Sequence, residues 1–186
     1  MRSRRSPVRP ASSSRAAACR PAPIPPRCSR SWRALSARTG ARLVIDTSGD
    51  ALAACEGVRP FLIKPSYSEL GALTGRDVSA EADQVAAARE LLARGFAETI
   101  LVSLAERGAL LVTADGERRF AAIPVEAKSG VGAGDSMIAA LVLALSRGET
   151  IETAVRWGIA AGAAAIMAPG TGLAKRADVE RLFAGG

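Results

Sequence analysis

The sequence predicts an α/β fold, a mostly parallel sheet covered by helices on both faces, and three observations carry that prediction. From about residue 41 onward, short apolar runs alternate with stretches of helical periodicity. A glycine-rich turn at Gly130 to Gly134 runs straight into an apolar stretch long enough for a helix. The length of 186 residues suits one ordinary domain and is too short for two large ones.

Each element has its own justification. Arg42 to Asp46 (RLVID) is a short apolar run ending in a carboxylate, followed by a small helix over Asp50 to Cys55. Phe61 to Lys64 (FLIK) reads as a second strand stopped by Pro65, and Ser66 can cap a helix through Ala72. Ser79 opens a longer helix whose Val85, Ala88 and Leu92 share one face, and Gly95 ends it. Thr99 to Leu104 (TILVSL) is a buried strand. Leu110 to Thr113, Asp115-Gly116 and Glu117 to Ala121 spell a hairpin, because Asp-Gly supplies the positive φ angles of a tight turn. The apolar helix after Gly134 runs to about Leu145, and another from Thr150 carries Ile151, Ala154, Val155, Gly158 and Ile159 on one stripe. A last short helix spans Asp178 to Phe183.

Charge divides the chain unevenly. Residues 1–40 hold 10 of the 25 Lys+Arg, none of the 18 Asp+Glu and 6 of the 10 prolines. The remainder is therefore mildly acidic, and a nucleic-acid reading based on the overall basic balance loses its support. The Arg/Pro/Ser-rich stretch shows no periodicity that would bury a face. It is expected to be a disordered extension, with a transit peptide, a basic nucleic-acid tail or a stretch translated from another frame as alternatives. Residues 41–186 form the expected folded part.

Absences exclude whole chemistries. With no His in the chain, Ser-His-Asp and Cys-His catalysis and His-ligated zinc are impossible. Three Cys, two of them in the tail, make neither a disulfide framework nor a metal knuckle, which fits a reducing, cytoplasmic compartment. The longest apolar run, Met137 to Leu145, is half a membrane span, so no membrane association is expected.

The informative stretch is Lys128-Ser-Gly-Val-Gly-Ala-Gly-Asp-Ser-Met137. Gly132, Ala133 and Gly134 carry little or no side chain, so their N–H groups can approach an anion at the positive end of the following helix. That helix is apolar on every side and is expected to be buried, holding its N-terminus still and dry. Asp135 is then a potential general base for an attacking hydroxyl, with the amides stabilising a transferring phosphoryl group. Its plain alternative is a helix-start residue. A Walker loop does not fit, since no Lys follows Gly134, and the dinucleotide fingerprint needs a third glycine where Met137 stands.

Val131-Gly-Ala-Gly-Asp-Ser-Met137 resembles the C-terminal signature of the PfkB (ribokinase-like) sugar kinases, and the Met after Asp-Ser is similar to the phosphofructokinase branch. Leu43 to Leu52 (LVIDTSGDAL), Lys64-Pro-Ser-Tyr-Ser-Glu-Leu70, Val102 to Leu110 (VSLAERGAL) and Val155 to Gly172 follow in the family's order and at its spacing, over about residues 42 to 184. The resemblance implies a ribokinase-like three-layer α/β/α architecture, truncated at its N-terminus. It implies Asp135 as the catalytic base and Gly132, Ala133 and Gly134 as the anion hole for the γ-phosphate of ATP. Glu69 would position Mg²⁺ through water, as a strongly hydrated ion held by few carboxylates. Lys64 would lie near the nucleotide phosphates, Ser103 and Gly108 would line the ATP site, and Ser129 and Gly170 would border nucleotide or a monovalent cation such as K⁺. Read singly, Glu69 is a solvated helix residue, Lys64 a strand-end charge, Ser103 a buried hydroxyl and Gly108 a turn glycine. The shared order favours the functional roles.

Several positions depart from the family pattern. Ser66 stands where an Asn usually begins Asn-x-x-Glu, Ala105 where Gly is usual, Gly130 where Thr or Ala is usual, and Ala168 where a polar Asn is usual. The elements that in the family bind the sugar, form the lid and often supply a homodimer contact have no counterpart in residues 1–40. The expected function is ATP-dependent phosphorylation of a phosphosugar such as fructose 6-phosphate. The alternatives are a catalytically incomplete nucleotide-binding fragment or pseudokinase and, last, a basic-tailed nucleic-acid binder.

Overall fold

The computed structural model describes residues 26–170 and 172–186. The sheet has five strands in the order β1-β2-β3-β4-β5: β1 Val44–Ile45, β2 Leu62–Ile63, β3 Thr99–Ser103, β4 Ala109–Val112 and β5 Glu117–Phe120. The first three run parallel, with Val44 opposite Leu62 and Leu62 opposite Thr99. The last two are antiparallel, Ile100 facing Val112 and Val112 facing Glu117. The sheet is therefore mixed rather than mostly parallel: β4 folds back against β3, and the β4–β5 hairpin returns through residues 113–116, where neither Asp115 nor Gly116 takes the positive φ expected of a tight Asp-Gly turn, because the loop between the paired Val112 and Glu117 is four residues long.

Side-chain alternation sends alternate residues of each strand to opposite layers. Ile63, Ile100, Val102, Leu110 and Val112 pack with helices α2 (Gly49–Ala53), α3 (Tyr67–Thr74) and α4 (Glu81–Ala93). Leu62, Leu101, Ala109 and Leu111 pack on the other face with α5 (Ala133–Ser146) and α6 (Ile151–Met167). The helix α7 (Arg176–Gly185) closes against α6 through Leu182, and Phe183 stacks on Trp157 with ring centroids 3.7 Å apart. This is the expected three-layer arrangement.

Two helices start on side-chain caps that the sequence carries openly. The Ser66 hydroxyl accepts from the Glu69 N–H while the Glu69 carboxylate accepts from the Ser66 N–H, a complete capping box. Thr150 caps α6 by accepting from the Thr153 N–H.

Four further expectations change. A helix, α1, spans Pro26–Thr39, where no periodic element was predicted; residues 1–25 of that expected extension lie outside the described residues. Of its described side chains, Trp32 is 48% and Leu35 42% exposed, and the helix end is marked by Gly40, whose N–H donates to the Ser36 carbonyl. The helix α4 begins at Glu81 rather than Ser79, and its buried face is Gln84, Ala87, Ala88 and Leu91, with Val85 and Leu92 only half-buried. The polar Gln84 escapes notice as a core residue because its amide is satisfied from both sides, donating to the Val78 carbonyl and accepting from Arg119. Finally, α5 is not buried all round. Met137, Leu141, Ala144 and Leu145 are buried, but Val142 and Leu143 are 41% and 50% exposed.

Glycine sets how closely α5 and α6, the most extensive helix pair, approach. A Cβ at Gly158 would lie 2.9 Å from the Met137 carbonyl oxygen, and one at Gly162 would lie 3.3 Å from the Ala133 carbonyl oxygen. The small residues on α6 therefore anchor the first two turns of α5.

Candidate functional site

The three parallel strands end on one edge of the sheet, and each is followed there by a polar residue or carries one last. Asp46 follows β1, Lys64 follows β2, and Ser103 closes β3. Because Val44 pairs with Leu62 and Ile45 with Ile63, the next residues in register are Asp46 and Lys64. Their side chains meet: Lys64 Nζ lies 3.3 Å from Asp46 Oδ1. Ser66 bridges to Ser103, whose N–H donates to the Pro65 carbonyl at 2.9 Å, so the start of α3 sits beside the end of β3.

The glycine turn delivers α5 to the same edge. Gly132 is the N-cap with φ +78, a left-handed conformation that disfavours any residue with a Cβ, and no side chain caps the helix. Among the described residues, no hydrogen bond within the chain takes the N–H groups of Gly132, Ala133 or Gly134, the ordinary orphans of a helix start. Space around Gly132 is open, and a Cβ at Gly134 would lie 3.4 Å from Lys64 Nζ. Free amides, the positive end of a 14-residue helix and an ammonium group thus converge.

Asp135 stands in the first turn of α5 and is exposed. Its carboxylate has no hydrogen-bond or ion-pair partner among the described residues: it does not cap the helix, and it stands in the first turn, where the helix dipole favours a carboxylate as its plain alternative has it. Glu69 is half-buried with one oxygen occupied: Oε2 accepts from the Ser66 N–H and the Ser66 hydroxyl, both at 2.8 Å. Oε1 is the oxygen left to hold a hydrated cation. Among the described residues no three acidic or Cys side chains cluster as a cage, so Mg²⁺ here would depend on water and phosphate oxygens for most of its shell. Ser66, in place of the family's Asn, is itself a good N-cap, and α3 starts normally on it.

The remaining predicted residues fall into two groups. Ser103 is half-buried beside Ser66. Gly108 has φ +92, and a Cβ there would lie 2.0 Å from the Phe120 carbonyl oxygen, so the backbone alone requires glycine. Ser129 lies by the far end of α6, its N–H donating to the Ile166 carbonyl and its hydroxyl accepting from Val131. Gly170, with φ +62, sits in the turn that follows that helix, so both are linked to the site through the glycine turn and α6. The residue that sequence reasoning missed is Asp46. Its signal, a carboxylate directly after an apolar run, was visible, but its pairing with Lys64 needs the strand register.

Asp135 is exposed at the mouth of α5, and a Cβ at Gly132 would meet nothing within 4 Å. A cleft of about 470 Å³ lies at the opposite ends of the strands, among Trp32, Arg42, Phe61 and Glu98, and one of about 330 Å³ lies between β5 and α7. Neither is lined by Asp46, Lys64, Glu69 or Asp135.

Residues 5–177 match the family model described as pfkB family carbohydrate kinase. The chain belongs to this family. It is 48% identical over 147 residues to ATP-dependent 6-phosphofructokinase isozyme 2 of Mycobacterium tuberculosis, covering 78% of this chain and 43% of that relative. Against the protein of the same name from Escherichia coli K12, identity is 38% over 148 residues, covering 79% of this chain and 48% of the relative. The crystal structure of phosphofructokinase-2 from Escherichia coli in complex with potassium superposes with a TM-score of 0.76 at 36% identity, over 84% of this chain and 51% of that one. Arabidopsis thaliana ribokinase, at 22% identity and a TM-score of 0.69, shares the fold. The chain thus spans about half the length of the relatives it matches. No described helix is long and apolar enough to cross a membrane.

Proposed function

We propose that residues 41–186 are the nucleotide-binding part of an ATP-dependent, phosphofructokinase-type sugar kinase, acting on a phosphosugar such as fructose 6-phosphate. The observation that carries the reading is the N-terminus of α5, which no side chain caps, with Lys64 Nζ beside Gly134 and, one residue on, an Asp135 without a partner among the described residues. In the reaction, an acceptor hydroxyl oxygen bonds to the γ-phosphorus as the bond to the β-bridging oxygen breaks. ADP leaves, and the hydroxyl proton passes to the Asp135 carboxylate. The amides of Gly132, Ala133 and Gly134 hold the transferring oxygens, and Lys64 adds a point charge at the phosphates. Mg²⁺, positioned through water by Glu69, would neutralise phosphate oxygens. Ser103 and Gly108 border the nucleotide, and Ser129 and Gly170 border nucleotide or a K⁺-like cation. In support of the last role, a potassium complex is on record for the Escherichia coli relative.

The test is calorimetric titration with ATP together with a coupled ADP-release assay, with and without fructose 6-phosphate. Asp135→Asn is expected to bind ATP within about twofold of the parent and to lose at least 10²-fold in sugar-dependent turnover, the usual scale for a general base. Comparable turnover by that variant would defeat the base assignment. A second reading, a nucleotide-binding fragment without an acceptor site, is favoured by the exposure of Asp135, whose carboxylate meets no partner side chain among the described residues. It predicts ATP binding with no sugar-dependent ADP release.

A further inference from the structure

We infer that Asp46 is an internal competitor for Lys64, a specificity-determining residue that makes the mouth of α5 discriminate against bare polyanions. The inference rests on the reading of that mouth as a phosphate site. Its basis is the ion pair itself. The Lys64 side chain is 11% exposed and Asp46 28% exposed, and their charged atoms stand 3.3 Å apart. Lys64 forms no other ion pair among the described residues, while its Nζ lies against Gly134 at the open helix start.

Two anions therefore contend for one nearly buried ammonium. An incoming phosphate tail would gain the helix amides and the ammonium, but it must draw the ammonium away from a carboxylate and then sit beside that negative charge. The pair is nearly neutral as it stands, so the attraction offered to a fully charged polyphosphate is weak. A phosphate tail whose charge is already partly neutralised suffers less from Asp46. The sheet register enforces this, because adjacent parallel strands leave Asp46 and Lys64 side by side. Without the carboxylate, an ammonium this poorly hydrated would take the nearest anion.

The probe is inorganic tripolyphosphate in the presence of a chelator at low salt, titrated calorimetrically into the full chain, Asp46→Asn, Lys64→Met and the double variant. Asp46→Asn keeps the side-chain shape and one acceptor oxygen but removes the charge, and it is expected to tighten tripolyphosphate binding about tenfold. In the Lys64→Met background the same change is expected to shift Kd by less than about twofold, because the gain passes through the ammonium. Should Asp46→Asn misfold by circular dichroism, Asp46→Ser carries the same expectation. Unchanged or weaker binding by the uncharged variant overturns the inference. So does an equal gain with Lys64 removed, which would mark a general field effect. Failure of the parent and all variants to bind either tripolyphosphate or ATP would instead remove the phosphate-site reading beneath it.

Discussion

Replacing Gly158 by Ala tests whether α6 sets the position of the site. In an exposed helix interior, Gly→Ala gains about 1 kcal/mol from propensity alone. Here the added Cβ would lie 2.9 Å from the Met137 carbonyl oxygen and 3.1 Å from Met137 Cγ. An ordinary carbon–oxygen contact needs roughly half an ångström more, and the obstacle is backbone, which cannot rotate away as a side-chain tip can. Forcing a methyl into such packing costs about 1–3 kcal/mol and outweighs the propensity gain in the middle of that range. The net expectation is a loss of about 1 kcal/mol, or roughly 2–4 °C in Tm for a chain of this size.

The loss of stability should come with a loss of binding, since Met137 is one turn beyond Ala133 and any shift of α5 carries its free amides along. Differential scanning calorimetry and ATP titration on the same preparation read both. Gly162→Ala is the internal comparison, its Cβ meeting the Ala133 carbonyl oxygen at 3.3 Å, where a few tenths of an ångström of give suffices. An unchanged or raised Tm for Gly158→Ala, with unchanged ATP affinity, would refute the idea that these glycines set the α5–α6 distance.

Other substitutions follow from local geometry. Gly108→Ala places a Cβ 2.0 Å from the Phe120 carbonyl oxygen at φ +92, so it should cost more than about 4 kcal/mol, read as loss of soluble protein or of a cooperative melt. Ala105→Gly should raise stability by up to about 1 kcal/mol in urea titration, because Ala105 is held at φ +52, where an L-residue is strained. Arg94 binds Glu56 through Nε and Nη2 at 3.0 and 3.1 Å, and this hydrogen bonding holds the Glu56 carboxyl below its usual value. The pair's contribution is therefore present above the ordinary glutamate range and disappears as pH falls through the lower folded value. Accordingly, Tm of Glu56→Gln should trail the parent at neutral pH and converge with it in acid.

What the sequence showed depended on how local the determining interaction is. The Ser66 cap, the helix start at Thr150 and the hairpin loop at Asp115-Gly116 each close within four residues and stand where pattern reading placed them, although Glu69 as the reciprocal capping partner was not foreseen and neither Asp115 nor Gly116 takes the positive φ expected of the turn. The expected face of α4 missed because Gln84, polar by type, is buried by two partners, one of them 35 residues away on β5. The all-round burial expected of α5 missed because an apolar composition cannot say which face has a neighbour, and Val142 and Leu143 have little. Gly108 shows the limit from the other side. A motif glycine looked like a ligand contact, while the hairpin backbone of residues 120–122 already requires it.

The site itself is assembled by two independent interfaces, which is why single motifs describe it poorly. Parallel pairing of β1 with β2 fixes Asp46 beside Lys64 from within the sheet. Packing of Gly158 and Gly162 on α6 against α5 fixes Gly134 from the outer layer. The two constructions meet at the 3.4 Å separation between Lys64 Nζ and the position of a Gly134 Cβ. A change in either layer therefore alters the same anion environment by a different route: one through the charge on the ammonium, the other through the placement of the amides. Charge removal at Asp46 leaves a poorly hydrated ammonium unpaired, so it should tighten anion binding with a steep salt dependence while lowering the melt of the unliganded chain, whereas displacement at Gly158 should lower both affinity and melt with little added salt dependence. Two variants that weaken or strengthen binding with the same salt slope and the same thermal cost would mean that the layers do not act separately.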